Sequence, residues 1–213
     1  MSSDCLESST PGAPFTTKGS ASKLRYYYVS FWVDHVTSFV YITFQASKAA
    51  SELVRSKMEF EEFSARFNVQ IKNIRADNGI YTAQLFKEAC LCQQQNLTFC
   101  AVVAHWQNGI AECFIGTITQ RARTILLHAM AKWPMIISEH MWTFALHAVN
   151  FHNCSIRKDK TISPYGAFTG KTPPWSLSDF RVFGTPTYIL RKELQDGATL
   201  NKCAFLSKDT CGL

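Results

Sequence analysis

The sequence contains no uninterrupted apolar stretch long enough to cross a membrane, and its opening residues, Met1 to Asp4, are not the apolar segment of a secretory signal. It has no internal repeat, which excludes solenoid architectures. Charged residues make up only 18% of the 213 residues, and the formal net charge is +6. This composition is typical of a mildly basic globular protein, for which a polyanionic partner is allowed but not required.

The eight cysteines form neither a disulfide framework nor a zinc-ligand pattern. The closest pair, Cys90 and Cys92, is two residues apart inside a predicted helix, and His147, His152 and Cys154 are not followed by a second cysteine pair. This spacing disfavours a zinc site. We therefore expect reduced thiols in an intracellular protein without a membrane partner.

What the sequence does contain is an alternation of strand-like and helical patterns. A loop rich in Ser, Thr, Gly and Pro is predicted over residues 5–23. The elements predicted after it are strands 26–33 and 39–44, helix 47–67, strand 69–74, helix 83–94, strand 97–103, and helices over 115–129 and 139–151. Short strands at 180–183 and 187–190 are predicted in the tail. The length allows one domain of about 100 to 200 residues with an appendage.

Two acidic residues stand where an apolar run meets a turn. Asp77 leaves the predicted strand 69–74, and Glu112, 34 residues later, lies in the first turn of a long helix. Carboxylates from distant parts of a sequence could converge there on a metal site. Alternatively, Asp77 forms only a strand-end turn, and Glu112 only complements the helix dipole.

Such carboxylates suit phosphodiester chemistry. Cleavage or transfer of a phosphodiester needs an activated oxygen nucleophile and stabilisation of the leaving oxygen, and two divalent ions about 4 Å apart supply both. Two Asp and one Glu on rigid elements are sufficient ligands for magnesium, which keeps several of its waters.

An ordered set of motifs also resembles the integrase catalytic core of copia-type LTR retrotransposons, over nearly the whole chain. The motifs are Arg75-Ala76-Asp77-Asn78-Gly79, Gln107-Asn108-Gly109-Ile110-Ala111-Glu112, Ser163-Pro164-Tyr165, Phe168-Thr169-Gly170 and Phe180-Arg181-Val182-Phe183-Gly184. The resemblance implies an α/β, RNase H-like fold with a five-stranded mixed sheet flanked by helices. It also implies a D,D,E triad that binds two Mg²⁺ or Mn²⁺ ions and joins element DNA to target DNA. The implied protein is a homo-oligomer and, if functional, nuclear.

Within the resemblance, the catalytic and metal-binding acids are expected to be Asp4, Asp77 and Glu112. Asp4 is preferred as the first acid because a Ser/Thr-Pro-Gly segment follows it, as in the family. Asp34 is the alternative, although its position between two predicted strands also suits a hairpin-turn acid.

Expected DNA-binding residues are Asn108, Thr119, Arg121 and Arg123. Arginine contacts to phosphate would give salt-sensitive binding, but a solvated helix face explains the arginines equally well. Trp106 could stack on a base or pack the loop.

Three departures from the family pattern tell against activity. Only Ser2 and Ser3 follow Met1 before Asp4, so we expect a truncated, frayed first strand. The family has one more residue between its second Asp and its Glu, and an Arg where Cys113 stands.

We predict a catalytic core at 1–158 and a Pro/Gly-rich tail at 159–213. The open alternatives are an active integrase core, a catalytically inactive DNA-binding remnant, and an RNase H-like nuclease.

Overall fold

Five strands form one mixed sheet in the computed structural model, which describes residues 1–14, 23–101, 108–133 and 137–185. The strands are β1 (Ser2–Gly12), β2 (Tyr26–Val33), β3 (Val40–Gln45), β4 (Asn73–Ala76) and β5 (Asn96–Phe99). Their order across the sheet is β3-β2-β1-β4-β5. The first three strands pair antiparallel, and β4 runs parallel to both β1 and β5. The five-stranded mixed sheet that the sequence predicts is confirmed.

The central strand β1 is longer than the sequence pattern indicates. Residues 5–12 belong to it and not to a loop, and the start that we expected to fray is held on both sides. Ser2 and Ser3 are buried and pair with β2 on one side and β4 on the other. Both expectations were wrong because the cross-strand pairing of a central strand overrides the local turn preference of Ser, Thr, Pro and Gly.

Six helices accompany the sheet in the described residues. They are α1 (Ala50–Ala65), α2 (Gln84–Cys92), α3 (Gly109–Lys132), α4 (Trp142–Ala145), α5 (Ala148–Cys154) and α6 (Pro164–Thr169). The single helix predicted at 139–151 is instead a 3₁₀ turn followed by α4 and α5. The break occurs at His147, whose N–H donates to the Phe144 carbonyl three residues back.

Strand β2 shows how the sheet is covered on both faces. Its residues 29 to 33 are all buried, although successive side chains point to opposite faces. On one face, Trp32 donates from Nε1 to Ser56 Oγ of α1 at 2.9 Å and stacks on Phe60. The helix α3 also packs against β1 and β2. Helices therefore flank the sheet, as a strand buried along both of its rows requires.

The far end of β1 is held by the segment that contains α4. Trp142 Nε1 donates to the Thr10 carbonyl at 2.8 Å, and Thr143 Oγ1 donates to the Ala13 carbonyl at 2.7 Å. The approach is so close that a Cβ placed on Gly12 would lie 2.4 Å from Thr143 Cγ2. Glycine at position 12 is required by this contact, and the contact fixes the direction of β1.

The chain forms two compact units, Met1–Phe180 and Arg181–Leu213. The sequence analysis predicts a boundary between a core at 1–158 and a tail at 159–213, and this boundary stays a prediction. Phe168 lies beyond it but belongs to the hydrophobic core of the first unit. Residues 180–183 are described and form no strand, contrary to expectation, and 187–190 lie outside the described residues. Among the described helices, none has both the length and the apolar character needed to cross a membrane.

Candidate active site

The register between β1 and β4 places two acidic residues side by side. The strands run parallel, with Ser2 opposite Arg75 and Ser3 opposite Ala76. Asp4 and Asp77 are the next residue on each strand, so they occupy equivalent positions one step beyond the last pair. Adjacent strands lie about 4.8 Å apart, and the carboxylates therefore belong to one site at the end of β4.

Asp77 is held in a tight bend after β4. Asn78 Nδ2 donates to the Cys100 carbonyl at 2.5 Å, which ties the bend to the end of β5. A Cβ on Gly79 would lie 2.9 Å from Asp77 Oδ2, so a larger residue there would press on the carboxylate. Within the described part of the chain, the buried Oδ1 of Asp77 has no hydrogen-bond partner. This oxygen could accept a hydrogen bond or bind a cation.

Asp4 is a partly buried acid with a raised pKa. Burial, together with the negative charges of Asp77 and Glu112, raises the pKa of Asp4 to about 6. Hydrogen bonds from the Cys5 backbone N–H, at 2.7 Å, and from the Asn108 side chain oppose the shift. Part of the shift is repulsion of the Asp4 carboxylate by the charges of Asp77 and Glu112, which a bound cation would relieve.

Glu112 lies in the first turn of α3 and is exposed. Its negative charge is one of the causes that raise the pKa of Asp4. Across the residues that the structure describes, however, no three His, Cys, Asp or Glu side chains stand close enough to hold a metal ion. Asp4 lies on β1 and Asp77 directly follows β4. In the described residues, Glu112 does not complete a three-ligand metal site with them.

The alternative first acid, Asp34, is occupied by its own turn. Its Oδ2 accepts from the Thr37 backbone N–H at 2.9 Å and from Thr37 Oγ1 at 2.7 Å. Its backbone N–H donates to the Phe39 carbonyl, which closes the β2–β3 hairpin. These bonds give Asp34 a structural role that does not depend on a metal.

The residues predicted to bind DNA are divided among three environments on α3. Thr119 and Arg123 lie on the same face as Glu112, since seven and eleven residues are close to whole helical turns. Both line a cleft of about 530 Å³ that Leu6 and Cys113 also border. Arg121 lies on the opposite side of the helix, near His152, whose pKa is lowered by burial and, to a smaller extent, by the charges of Arg157 and Arg121.

Asn108, at the N-terminus of α3, is only 1% exposed. A direct contact of its side chain with DNA therefore stays a prediction, as does the role of Trp106, which lies outside the described residues. Sequence reasoning missed this burial, because an Asn before a helix ordinarily caps the helix from the surface.

A second buried contact under the site also escaped the sequence analysis. Ser3 Oγ donates to the Tyr81 hydroxyl at 2.8 Å, and Tyr81 is fully buried. Burial raises the pKa of Tyr81 well above its ordinary value. The bond fixes β1 to the 3₁₀ turn that follows Asp77, which holds both acid-bearing segments together. No spacing in the sequence indicates a contact across 78 residues.

Comparison with solved structures identifies this arrangement of strands and helices. The chain is similar to the simian T-cell lymphotropic virus intasome in complex with PP2A regulatory subunit B56 gamma, with a TM-score of 0.56 and 16% identity over 87% of this chain. It is also similar to the magnesium-bound HTLV-2 integrase catalytic core domain, in a trimeric form (TM-score 0.50, 14% identity) and a dimeric form (0.51, 14%). The chain has an integrase catalytic-core fold.

The match to the intasome covers 64% of the intasome chain. The matches to the trimeric and dimeric HTLV-2 forms cover 91% and 93% of those chains, and 77% and 78% of this chain. At these identities the likeness concerns the fold, and the RNase H-like class expected from the sequence is confirmed. No protein-family model matches the chain, and comparison with curated proteins gives no significant match. In this integrase-core fold, Asp4 lies on the central strand.

Proposed function

We propose that this chain is a catalytic core of the retroviral integrase superfamily, of the kind found in copia-type LTR retrotransposons, and that it joins DNA ends to target DNA. The register of β1 and β4, which sets Asp4 beside Asp77 in an integrase-core fold, carries the proposal. The charge of Glu112 also acts on Asp4. A fold alone does not determine an activity, and the proposal therefore depends on these acids.

Asp4, Asp77 and Glu112 are the residues that would hold two Mg²⁺ or Mn²⁺ ions. Two observations support the fit: Asp77 Oδ1 is a buried oxygen without a partner in the described residues, and the pKa of Asp4 is raised by burial and by its acidic neighbours. Oxygen ligands of this kind suit hard divalent cations. When bound, such ions stabilise both the attacking and the leaving oxygen of a phosphodiester displacement.

In the proposed strand transfer, the 3′-hydroxyl oxygen of one DNA end forms a bond to a target phosphorus. The bond from that phosphorus to its former 3′ oxygen breaks, so one phosphodiester replaces another and no external energy source is needed. The hydroxyl proton passes to solvent, and the released oxygen takes up a proton. Asp4 is held on a strand that is paired on both sides, and Asp77 is held in the bend directly after β4. This is the rigidity that a catalytic site requires.

The cleft along α3 is the proposed path of the DNA. Arg123 and Thr119 border it on the face that carries Glu112, and Arg123 is exposed and can contact a phosphate. Arg121 faces elsewhere and is proposed only as a secondary contact. We further propose that the chain acts as a homo-oligomer on two DNA ends and works in the nucleus, where its target DNA would lie.

The decisive experiment is an oligonucleotide-joining assay with Mg²⁺ or Mn²⁺. The parent chain is expected to join a DNA end to a target duplex, and Asp4→Asn, Asp77→Asn and Glu112→Gln are each expected to abolish the joined product. Asp34→Asn is the matched control, because the turn that Asp34 closes lies outside the proposed site. Loss of joining in Asp34→Asn, with joining retained in Asp4→Asn, would transfer the first-acid role to Asp34.

A second candidate function is DNA binding without catalysis. It is favoured by the finding that the described residues contain no group of three ligands close enough for a metal. DNA binding that survives Asp77→Asn and Glu112→Gln, together with no joining by the parent chain, would establish it. Cleavage of RNA–DNA hybrids without joining would indicate an RNase H-like nuclease instead.

A further inference from the structure

The side chain of Asn108 is turned away from the helix that it precedes. Asn108 is the N-cap residue of α3, a position where an Asn side chain usually accepts a hydrogen bond from the first helical turn. Here it makes no such capping bond. Its Nδ2 instead donates to the carbonyl of Ser3 at 3.3 Å, on the central strand immediately before Asp4. The Asn108 side chain is therefore bonded to strand β1 and does not cap helix α3.

The second polar atom of the Asn108 amide is its oxygen, Oδ1. This oxygen is buried and has no hydrogen-bond partner among the described residues, and the residue is 1% exposed. Buried polar atoms in native proteins are nearly always partnered, so each exception requires an explanation. Asp77 Oδ1, in the same site, has the same status.

Both unpartnered atoms are oxygens that can only accept, and the residues that carry them both neighbour Asp4. The Asn108 side chain is close enough to Asp4 for a hydrogen bond to act on its carboxyl, and Asp77 neighbours Asp4 across the strand pair. A set of one amide oxygen and two carboxylates matches the oxygen ligands and bound waters that a hard divalent cation prefers. An unfilled helix cap alone would not produce this convergence.

We propose that Asn108 is a positioning residue of the acidic site: its Nδ2 fixes the β1 backbone beside Asp4, and its Oδ1 accepts from the water shell of the divalent cation that Asp4 and Asp77 bind. The inference rests on the proposed function, since it needs that cation. An amide suits both tasks. A carboxylate at position 108 could not donate to the Ser3 carbonyl and would add a further negative charge near Asp4.

The test measures Mn²⁺ affinity of the full chain by the electron paramagnetic resonance signal of free Mn²⁺, without DNA. Asn108→Ala is expected to weaken Mn²⁺ binding by about 10-fold or more, the usual effect of losing a residue that supports metal ligands. Asn108→Gln, which keeps the amide, is expected to retain more of the affinity. Asn96→Ala is the matched control, because Asn96 is an exposed Asn at the start of β5. Its affinity should equal that of the parent.

A second measurement uses the unaltered protein and therefore does not depend on the folding of any variant. Mn²⁺ broadens nearby NMR signals, so the side-chain NH₂ signal of Asn108 should disappear at Mn²⁺ concentrations that leave the Asn96 signal sharp. If both signals stay sharp while Mn²⁺ binds, or if Asn108→Ala binds Mn²⁺ like the parent, the role of Asn108 is refuted.

Asp77→Asn separates this inference from the proposed function. If Asp77→Asn abolishes Mn²⁺ binding and Asn108→Ala does not weaken it, only the inference fails. If the parent binds no Mn²⁺, or binds it unchanged in Asp77→Asn, the metal site itself fails, and the role of Asn108 fails with it.

Discussion

At the scale of single residues, the proposed catalytic acid Asp4 lowers the stability of the folded protein at neutral pH. It is largely buried on the central strand, and burial and nearby acids raise its pKa to about 6 from an ordinary value of 3.8. The folded protein therefore binds the Asp4 proton more tightly than the unfolded chain does. Stability is consequently undiminished below about pH 4, falls as the pH rises toward 6, and stays reduced above it.

Asp4→Asn should remove this penalty. In metal-free buffer we expect the free energy of unfolding to rise at pH 8 by on the order of 2 kcal/mol. At pH 3.5 it should change little, because Asp4 is then mostly protonated in the folded and in the unfolded protein. Urea unfolding at the two pH values measures the difference. Asp34→Ala supplies the contrast, since it removes two turn hydrogen bonds and should lower stability by about 1 kcal/mol. Equal stability of Asp4→Asn and the parent at pH 8 would contradict the account.

At the scale of elements, a buried lysine of α1 connects that helix to α2. Lys57 on α1 is 1% exposed, and its Nζ donates to Glu61 Oε1 at 2.7 Å and to the Ala89 carbonyl of α2 at 3.3 Å. Gln95 Nε2 also donates to Glu61, and to the Ile71 carbonyl at 3.1 Å. The helices are thereby fixed to each other and to the segment that leads into β4. A helical sequence pattern cannot show this, because an i, i+4 Lys–Glu pair is usually at the surface.

Glu61→Gln should leave the buried Lys57 ammonium without a counter-charge and lower the free energy of unfolding by about 2 to 3 kcal/mol. Adding Lys57→Met to Glu61→Gln should recover part of that loss, because an apolar side chain then fills the buried space. Glu62→Gln is the matched control: its pair with Arg66 is exposed, and such pairs contribute about 0 to 1 kcal/mol. Denaturant unfolding of the four proteins is the measurement, and a Glu61→Gln effect no larger than that of Glu62→Gln would refute the role of the pair.

For the whole molecule, the net charge of +6 and the cleft along α3 together predict salt-dependent DNA binding. Arg123→Ala should weaken binding to unrelated duplexes alike and should reduce the slope of log K against log salt by about 1, the loss of one phosphate contact. Arg66→Ala, which removes an exposed arginine directly after α1, is the charge-matched control and should leave the slope unchanged. Fluorescence anisotropy at several salt concentrations gives the slopes, and equal slopes for the two variants would place the DNA elsewhere.

The hairpin of β2 and β3 could be predicted because its aromatic and β-branched runs have a local preference that agrees with their final pairing. The start of α3 and the exit of Asp77 from a strand were also predictable from local pattern. The extension of β1 to Gly12 was not, since its Ser, Thr, Pro and Gly residues favour turns and are held only by strands and by α4, far away in sequence.

The sequence by itself determined the alternation of strands and helices, because periodicity and turn residues act over a few positions. Its motifs carried the resemblance that implied the class of fold and the candidate acids. Only the tertiary structure decided that Asp4 lies beside Asp77, that Asp34 serves its own turn, and that Asn108 is buried against Ser3. These relations depend on strand register and on contacts between residues up to 105 positions apart. Such contacts exist only when the whole sheet has assembled.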